Sequence, residues 1–338
     1  MTDLATRYLG LELRNPLVAS ASPLASTVDG VKRLAGAGVA AVVLPSLFEE
    51  ELRRRAAQDA ALAEAGTESF AESLSYFPEG AGAEPGPRRY LSLLERATVA
   101  VDIPVIASLN GVTTGGWTDY ATALEQAGAA AIELNIYHLP ADPQTSGRDV
   151  EQRHIDVLTT VKAVVSVPVA VKLSPYFSSV GEMALRLDCA GADGLVLFNR
   201  FMQPDIDPET LGVTAGFGLS SPAEARLPRA WIALLAGRVK GSLAASTGVE
   251  DAADVAAYLL AGADVVMTTS ALLRHGPEHA TALLDGLTAW MTRKGFRALN
   301  DLRGRLAVPP DHEEAARERA GYVGALREAD WADGWPAG

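Results

Sequence analysis

Residues 127–137 read AGAAAIELNIY: a helix closed by glycine runs straight into an apolar stretch that carries an asparagine near its end. Glycine tolerates the left-handed backbone that closes a helix, so Ala127-Gly128 marks a stop and Ala129 to Tyr137 is predicted as the strand that follows. The same pair stands at Ala37-Gly38, Ala190-Gly191 and Ala261-Gly262. Behind them come VAAVVLPS over Val39 to Ser46, ADGLVLFNR over Ala192 to Arg200 and ADVVMTTS over Ala263 to Ser270. Repeated punctuation of this kind signals one supersecondary unit used several times.

Two further runs, IPVIASLNG over Ile103 to Gly111 and VPVAVKLS over Val167 to Ser174, open on apolar-Pro-Val, and proline can start a strand without breaking its ladder. NPLVAS over Asn15 to Ser20 and GSLAAST over Gly241 to Thr247 bring the number of predicted strands to eight. Most are almost continuously apolar, the pattern of parallel strands covered by helices on one face and packed side chains on the other. Helical spacing fills the gaps, over Thr118 to Gln126, Glu151 to Val165, Val180 to Cys189, Glu250 to Leu260 and Ala280 to Met291. Strands and helices alternating in this way predict an α/β fold, a single (β/α)8 TIM barrel over residues 1–308 followed by a helical tail over 309–338. A doubly wound sheet would place a GxGxxG turn after the first strand, and none is there. Two excursions interrupt the alternation, Phe48 to Tyr90 after the second strand and Phe201 to Arg229 after the sixth; both are expected on the rim, with the first covering the mouth. Trp331 and Trp335 in the tail are expected to pack on the barrel or on a neighbouring subunit.

The chain has 338 residues, 48% of them hydrophobic, and 29 Lys and Arg against 42 Asp and Glu give a formal net charge of −13. Such a surface repels phosphate backbones and anionic headgroups, which argues against nucleic-acid and membrane partners. One cysteine, Cys189, cannot form an intrachain disulfide or supply the thiolates of a zinc or iron–sulfur site, and it is expected as a buried, inert thiol. The amino terminus MTDLATRYLG lacks a signal-peptide pattern, and a cytoplasmic location is expected. His154, His275, His279 and His312 show no metal-ligand spacing, so no metal site is predicted.

In this fold catalytic groups project from the carboxyl ends of the strands. The polar residues there are Ser20 and Ser22, Ser46, Ser108 and Asn110, Asn135 with His138 beyond it, Lys172, Asn199, Ser246 with Thr247 and Gly248, and Thr268, Thr269 and Ser270. Short hydroxyl and glycine side chains at the last two strand ends leave backbone N–H groups free to approach an anion, which suggests a phosphate site. Lys172 lies in a buried strand and needs a partner or a ligand, and Glu133, which shares the face of Asn135, is the candidate ion-pair partner. Asn110, Asn135 and Asn199 each offer a donor and an acceptor, suited to a planar ligand with alternating carbonyl and N–H edges. His138 can act as a base at neutral pH or be a solvated loop residue.

These residues resemble the class 1 dihydroorotate dehydrogenase family of flavin-dependent barrels, over the chain to about Leu306. The likeness lies in LGLELRNPLVASASP, IASLNG, IELNI, VKLSPYF, VLFNR, VVMTTSALLRHGP and MTRKGFRALNDLRGRL. The resemblance implies FMN across the mouth, with its phosphate near Thr247, Gly248, Thr269 and Ser270. It places Lys172 at the pyrimidine side of the flavin, Ser20 and Asn110 along the ring, and Asn135 and Asn199 on orotate; Ser46, at the end of the second predicted strand, is a further candidate for cofactor binding. It also implies oxidation of dihydroorotate to orotate in pyrimidine biosynthesis, and a homodimer.

The chain departs from the family at named positions. The loop Asn-Leu-Ser-Cys-Pro-Asn is here Asn135-Ile136-Tyr137-His138-Leu139-Pro140, which puts His138 where the Cys or Ser base stands. Pro45 takes the place of the second-strand lysine, Asn110 replaces a small residue, and Thr247-Gly248 replaces a Gly-Gly turn. These changes leave two other readings in play: a flavin oxidoreductase of another cyclic amide or other substrate, or a flavin-binding partner subunit without turnover. No motif names the electron acceptor, and a separate redox partner stays possible by sequence.

Overall fold

The computed structural model describes residues 2–50, 87–111, 117–138, 140, 142–201, 204–214, 218–309, 321, 323 and 324. Their strands are β1 (Thr6–Tyr8), β2 (Leu11–Leu13), β3 (Leu17–Ala19), β4 (Ala41–Phe48), β5 (Val105–Asn110), β6 (Ala131–Asn135), β7 (Val169–Leu173), β8 (Gly194–Leu197), β9 (Asp205–Asp207), β10 (Gly212–Thr214), β11 (Ser242–Ala245) and β12 (Val265–Thr268).

Eight of them close a barrel in the order β11-β12-β3-β4-β5-β6-β7-β8, and the seam is the parallel pair of β11 and β8, with Ser242 opposite Gly194. Seven of the eight lie inside segments expected from the apolar runs, and β4 runs two residues past its expected end at Ser46, to Phe48. The repeated Ala-Gly pairs act as the chain chemistry requires: Gly38, Gly128, Gly191 and Gly262 all have positive φ, between 91° and 119°. Helices cover the outer face by one-sided burial. The helix Val180–Cys189, for example, buries Val180, Met183, Ala184 and Leu187 at helical spacing. Cys189 falls two residues past Leu187, about 200° around that helix, so it is exposed rather than buried as expected.

The amino-terminal hairpin was not anticipated. β1 and β2 pair antiparallel across Leu9 (φ 53°) and Gly10 (φ 77°), two consecutive positive φ values of the kind that matches the twist of a tight hairpin. Tyr8, Leu9 and Leu13 pack with Val18, Val43, Ile106, Ala131, Val196 and Met267 in the barrel interior. The strained turn is held by two bonds: Leu9 N–H donates to Ser242 Oγ (3.0 Å), and Thr6 Oγ1 donates to the Asp264 carbonyl (2.9 Å). Gly194 makes room for the plug, since a Cβ there would lie 2.6 Å from Leu9 Cδ2. Burying each of these leucines is worth about 1.5–3 kcal/mol, enough to anchor the hairpin as the barrel floor. The interior therefore opens at the other end, where the strands finish.

The excursion after β8 carries a short antiparallel ribbon, β9 with β10, whose Ile206 and Val213 are exposed. The expected insertion after β4 lies mainly outside the described residues, as do almost all of the tail, both of its tryptophans, and His312. No helix among the described residues is long and apolar enough to cross a membrane.

Candidate active site

The carboxyl ends of the strands surround a cavity of about 760 Å³. Its walls bring together Ser20 after β3, Asn110 ending β5, Asn135 ending β6, Lys172 on β7, Asn199 after β8, Thr247 and Gly248 after β11, and Thr269 and Ser270 after β12. All were expected there from their place at strand ends. Parallel pairing fixes their order: Asn110 is opposite Asn135, and Asn135 is opposite Lys172.

Lys172 reaches into the mouth with its ammonium 3.3 Å from Ser20 Oγ, and Glu133 Oε1 lies 3.6 Å away on the interior side. The expected ion pair is therefore formed, while the lysine still lines the cavity. Asn199 donates from Nδ2 to Asn135 Oδ1 at 2.6 Å, and its backbone N–H extends the β7–β8 ladder by donating to the Leu173 carbonyl.

The turn after β11 is built for close backbone approach. Thr247 and Gly248 have φ of 83° and 70°, and a Cβ on Gly248 would lie 2.7 Å from the Ser221 carbonyl oxygen and 2.8 Å from the Ala225 nitrogen. Tyr258 fixes the turn from behind, donating to the Thr247 carbonyl at 2.6 Å. Ser220 joins it to the end of β12: its Oγ accepts from Gly248 N–H (3.2 Å) and lies 2.9 Å from Ser270 Oγ. Arg274 donates to the Ser220 carbonyl and pairs with Glu250, and this holds the segment in place.

Four residues expected at the strand ends, Ser22, Ser46, Ser108 and His138, do not line the cavity. Ser46 is turned onto Ser108, Oγ to Oγ at 2.8 Å, and does not line the cavity. His138 does not line it either; its ring rests against Arg153, with Nη1 at 3.1 Å from Nε2. Partial burial, and then the Arg153 charge, push its pKa below the ordinary histidine value. The wall at this point is Tyr137, whose ring stacks on Phe201 at 4.3 Å and 10°, with Tyr176 edge-on to the same phenylalanine.

Sequence reading missed other wall residues: Phe48, Phe198, Arg200, Leu219 and Ser220. Phe48, Phe198 and Arg200 adjoin predicted strand ends and were within reach of the same rule. Leu219 and Ser220 come from the middle of an irregular excursion that has no periodicity to mark them. His154, set aside on the sequence as a helical residue, is buried at 1% exposure in the helix Gly147–Lys162 and does not line the cavity.

One ammonium, three carboxamides and a hydroxyl-lined turn around a cavity of this size match a flat ligand with polar edges at one side and an anionic group at the other. The fold and its mouth define a (β/α)8-barrel enzyme with its site at the carboxyl ends of the strands. The family model described as dihydroorotate dehydrogenase matches residues 75–291. A chain of Aeropyrum pernix, provisionally named dihydroorotate dehydrogenase A (fumarate), is 32% identical over 66% of this chain and 74% of its own length. The dihydroorotate dehydrogenase B (NAD(+)) catalytic subunit of Methanothermobacter thermautotrophicus is 27% identical over 89% of this chain and 97% of its own. That of Methanocella arvoryzae is 30% identical over 85% and 93%. The chain belongs to the dihydroorotate dehydrogenase family, oxidoreductases that act on CH–CH donors.

Proposed function

We propose that this chain oxidises dihydroorotate to orotate in pyrimidine biosynthesis with FMN held across the barrel mouth. The observation that carries the reading is the gathering of Asn135, Asn199, Lys172 and the Thr247-Gly248 turn around a single cavity. The donor set fits the cofactor. Thr247, Gly248, Thr269 and Ser270 would hold the phosphate, the glycine letting the turn pack against the backbone of Ser221 and Ala225 where a Cβ would clash. Ser20 and Asn110 would border the ring, and Lys172 would place its positive charge at the pyrimidine edge, where negative charge gathers on reduction. When bound there, FMN supplies the hydride acceptor.

The chain's own residues do the rest. Asn135 and Asn199 orient the substrate ring through the donors and acceptors left over from their mutual bond. Phe48, Phe198 and Tyr137 cover the mouth with apolar surface that limits water. Oxidation also requires a base for the C5 proton, and His138 is proposed for it. Its lowered pKa keeps the imidazole neutral at pH 7, the form that accepts a proton. To serve, the ring must leave Arg153 and turn past Tyr137 into the mouth. Ser46 supports the site through Ser108 and not by lining the cavity.

The placement of His138 favours a second reading, an oxidoreductase of the same cofactor acting on another cyclic amide. Loading the protein with FMN and following orotate formation, with fumarate and NAD(+) as alternative acceptors, decides between them. Those acceptors are named for relatives of this chain. Turnover with either establishes the first reading; bound FMN without orotate formation selects the second.

A further inference from the structure

The reaction as described uses Lys172 and leaves Glu133 without a role. Glu133 sits on β6 two residues before Asn135, at 1% exposure, and neither of its carboxylate oxygens has a hydrogen-bond partner among the described residues. A carboxylate taken out of water is costly unless it is paired, and a leucine or methionine would fill the same barrel position without that cost. Its partner is the Lys172 ammonium, 3.6 Å from Oε1. The two side chains occupy different levels of the barrel: Lys172 lines the mouth cavity, and Glu133 does not.

The other titratable groups facing this carboxylate add no positive charge. Tyr8, from the floor hairpin, and Tyr90, from the helix Pro87–Ala100, are both neutral phenols. Burial is the main cause of their raised pKa values, and the Glu133 charge adds to it. Asp264 faces Tyr8 from the end of the barrel away from the mouth and is already paired with Arg303. Ser108, directly opposite Glu133 in register, gives its backbone N–H to the Tyr90 hydroxyl and its Oγ to the contact with Ser46. Lys172 is thus the sole cation on Glu133 among the described residues, and Glu133 the sole anion paired with Lys172.

We propose that Glu133 is a positioning residue, the buried counter-ion that keeps Lys172 protonated and extended toward the mouth, so that the face of the cavity where the cofactor lies carries a fixed positive charge. The interior of the barrel then sets the electrostatics of the site from beneath, through a residue that touches neither substrate nor cofactor. The inference rests on Lys172 being the cation of the proposed FMN site, and its first test needs no cofactor, so the two readings fail separately.

The test measures amine reactivity in the cofactor-free protein. Only a neutral amine attacks an acylating reagent, so trace acetylation at pH 8, read by peptide mass spectrometry against Lys240 as an exposed internal standard, reports how firmly Lys172 keeps its proton. Replacing the carboxylate by an amide of the same shape removes an opposite charge at close range, and Glu133→Gln is expected to raise the relative labelling of Lys172 about tenfold or more. Glu133→Asp keeps the charge and is expected to label within about twofold of the parent protein. In the FMN-loaded protein, Glu133→Gln is expected to bring the alkaline loss of dihydroorotate-driven flavin reduction to lower pH, which a purely structural defect would not do. Equal labelling of Lys172 in the parent and Glu133→Gln proteins overturns the proposal, as does an Asp variant that labels as fast as the Gln variant. Should Glu133→Gln alone fail to fold, the double variant Lys172→Met with Glu133→Gln is expected to fold, because it removes both buried charges together; its failure to fold would also overturn the pairing.

Discussion

Asn199 and Asn135, from strands separated by β7, meet across the mouth with Nδ2 to Oδ1 at 2.6 Å. The bond uses one donor of one amide and the carbonyl of the other. It leaves an NH2 group on Asn135 and a carbonyl on Asn199, and reversing both amides would leave the same complement. The pair therefore presents one donor and one acceptor side by side, complementary to a C=O beside an N–H in a cyclic imide. Asn199→Ala removes the acceptor and strands the Asn135 carbonyl. We expect the KM for dihydroorotate to rise about tenfold or more with a smaller change in kcat, as read by steady-state kinetics.

The strand ends were readable in the sequence because each apolar run had to stop where side chains leave the core for the mouth. Asn110, Asn135, Lys172 and Asn199 were found by that rule alone. The floor hairpin was not, because TRYLGLEL, Thr6 to Leu13, supplies only three residues per strand and its turn depends on Leu9 adopting a positive φ, which β-branched and most other side chains resist and which propensity argues against. His138 was expected in the mouth because motif position places it one residue beyond Tyr137. The side chain directions at these two positions are set by Arg153 and by the Phe201 stack, both tertiary contacts that spacing along one strand does not encode.

Arg153 holds His138 aside and, after partial burial, is the second cause of its lowered pKa. If the neutral imidazole is the base, activity is lost as pH falls through the histidine pKa, and Arg153→Ala raises that pKa. The acid limb of kcat/KM should therefore move to higher pH in Arg153→Ala and disappear, with most of the rate, in His138→Ala. A pH profile unchanged in both variants would assign the base to another group.

The Thr247-Gly248 turn makes a sharper structural prediction. Gly248→Ala puts a methyl group where backbone atoms of Ser221 and Ala225 stand, at a φ that L side chains rarely adopt. Strain of this kind costs about 1–3 kcal/mol, and displacement of the turn should weaken FMN binding by about tenfold or more. Fluorescence titration of the cofactor-free protein checks it.

His154 gives the fold a pH dependence of its own. Burial lowers its pKa to about 4, and its Nδ1 lies 2.8 Å from the Val150 carbonyl, to which it donates. Above the unfolded value of about 6.5 the residue is neutral in both states and contributes no pH dependence. As pH falls from there toward 4 the unfolded chain binds the proton and the folded chain does not, so stability declines by up to about 3 kcal/mol. Urea midpoints measured between pH 7 and 4 should fall less steeply in His154→Leu than in the parent protein.

Anaerobic addition of dihydroorotate to the FMN-loaded protein, with the flavin absorption band followed, tests the proposed oxidation at its first half-reaction. Bleaching is expected, with one dihydroorotate consumed per flavin and orotate as product, and a marked slowing in Lys172→Met. A loaded protein whose band stays unchanged on addition of dihydroorotate, while a chemical reductant still bleaches it, would rule out dihydroorotate as the substrate.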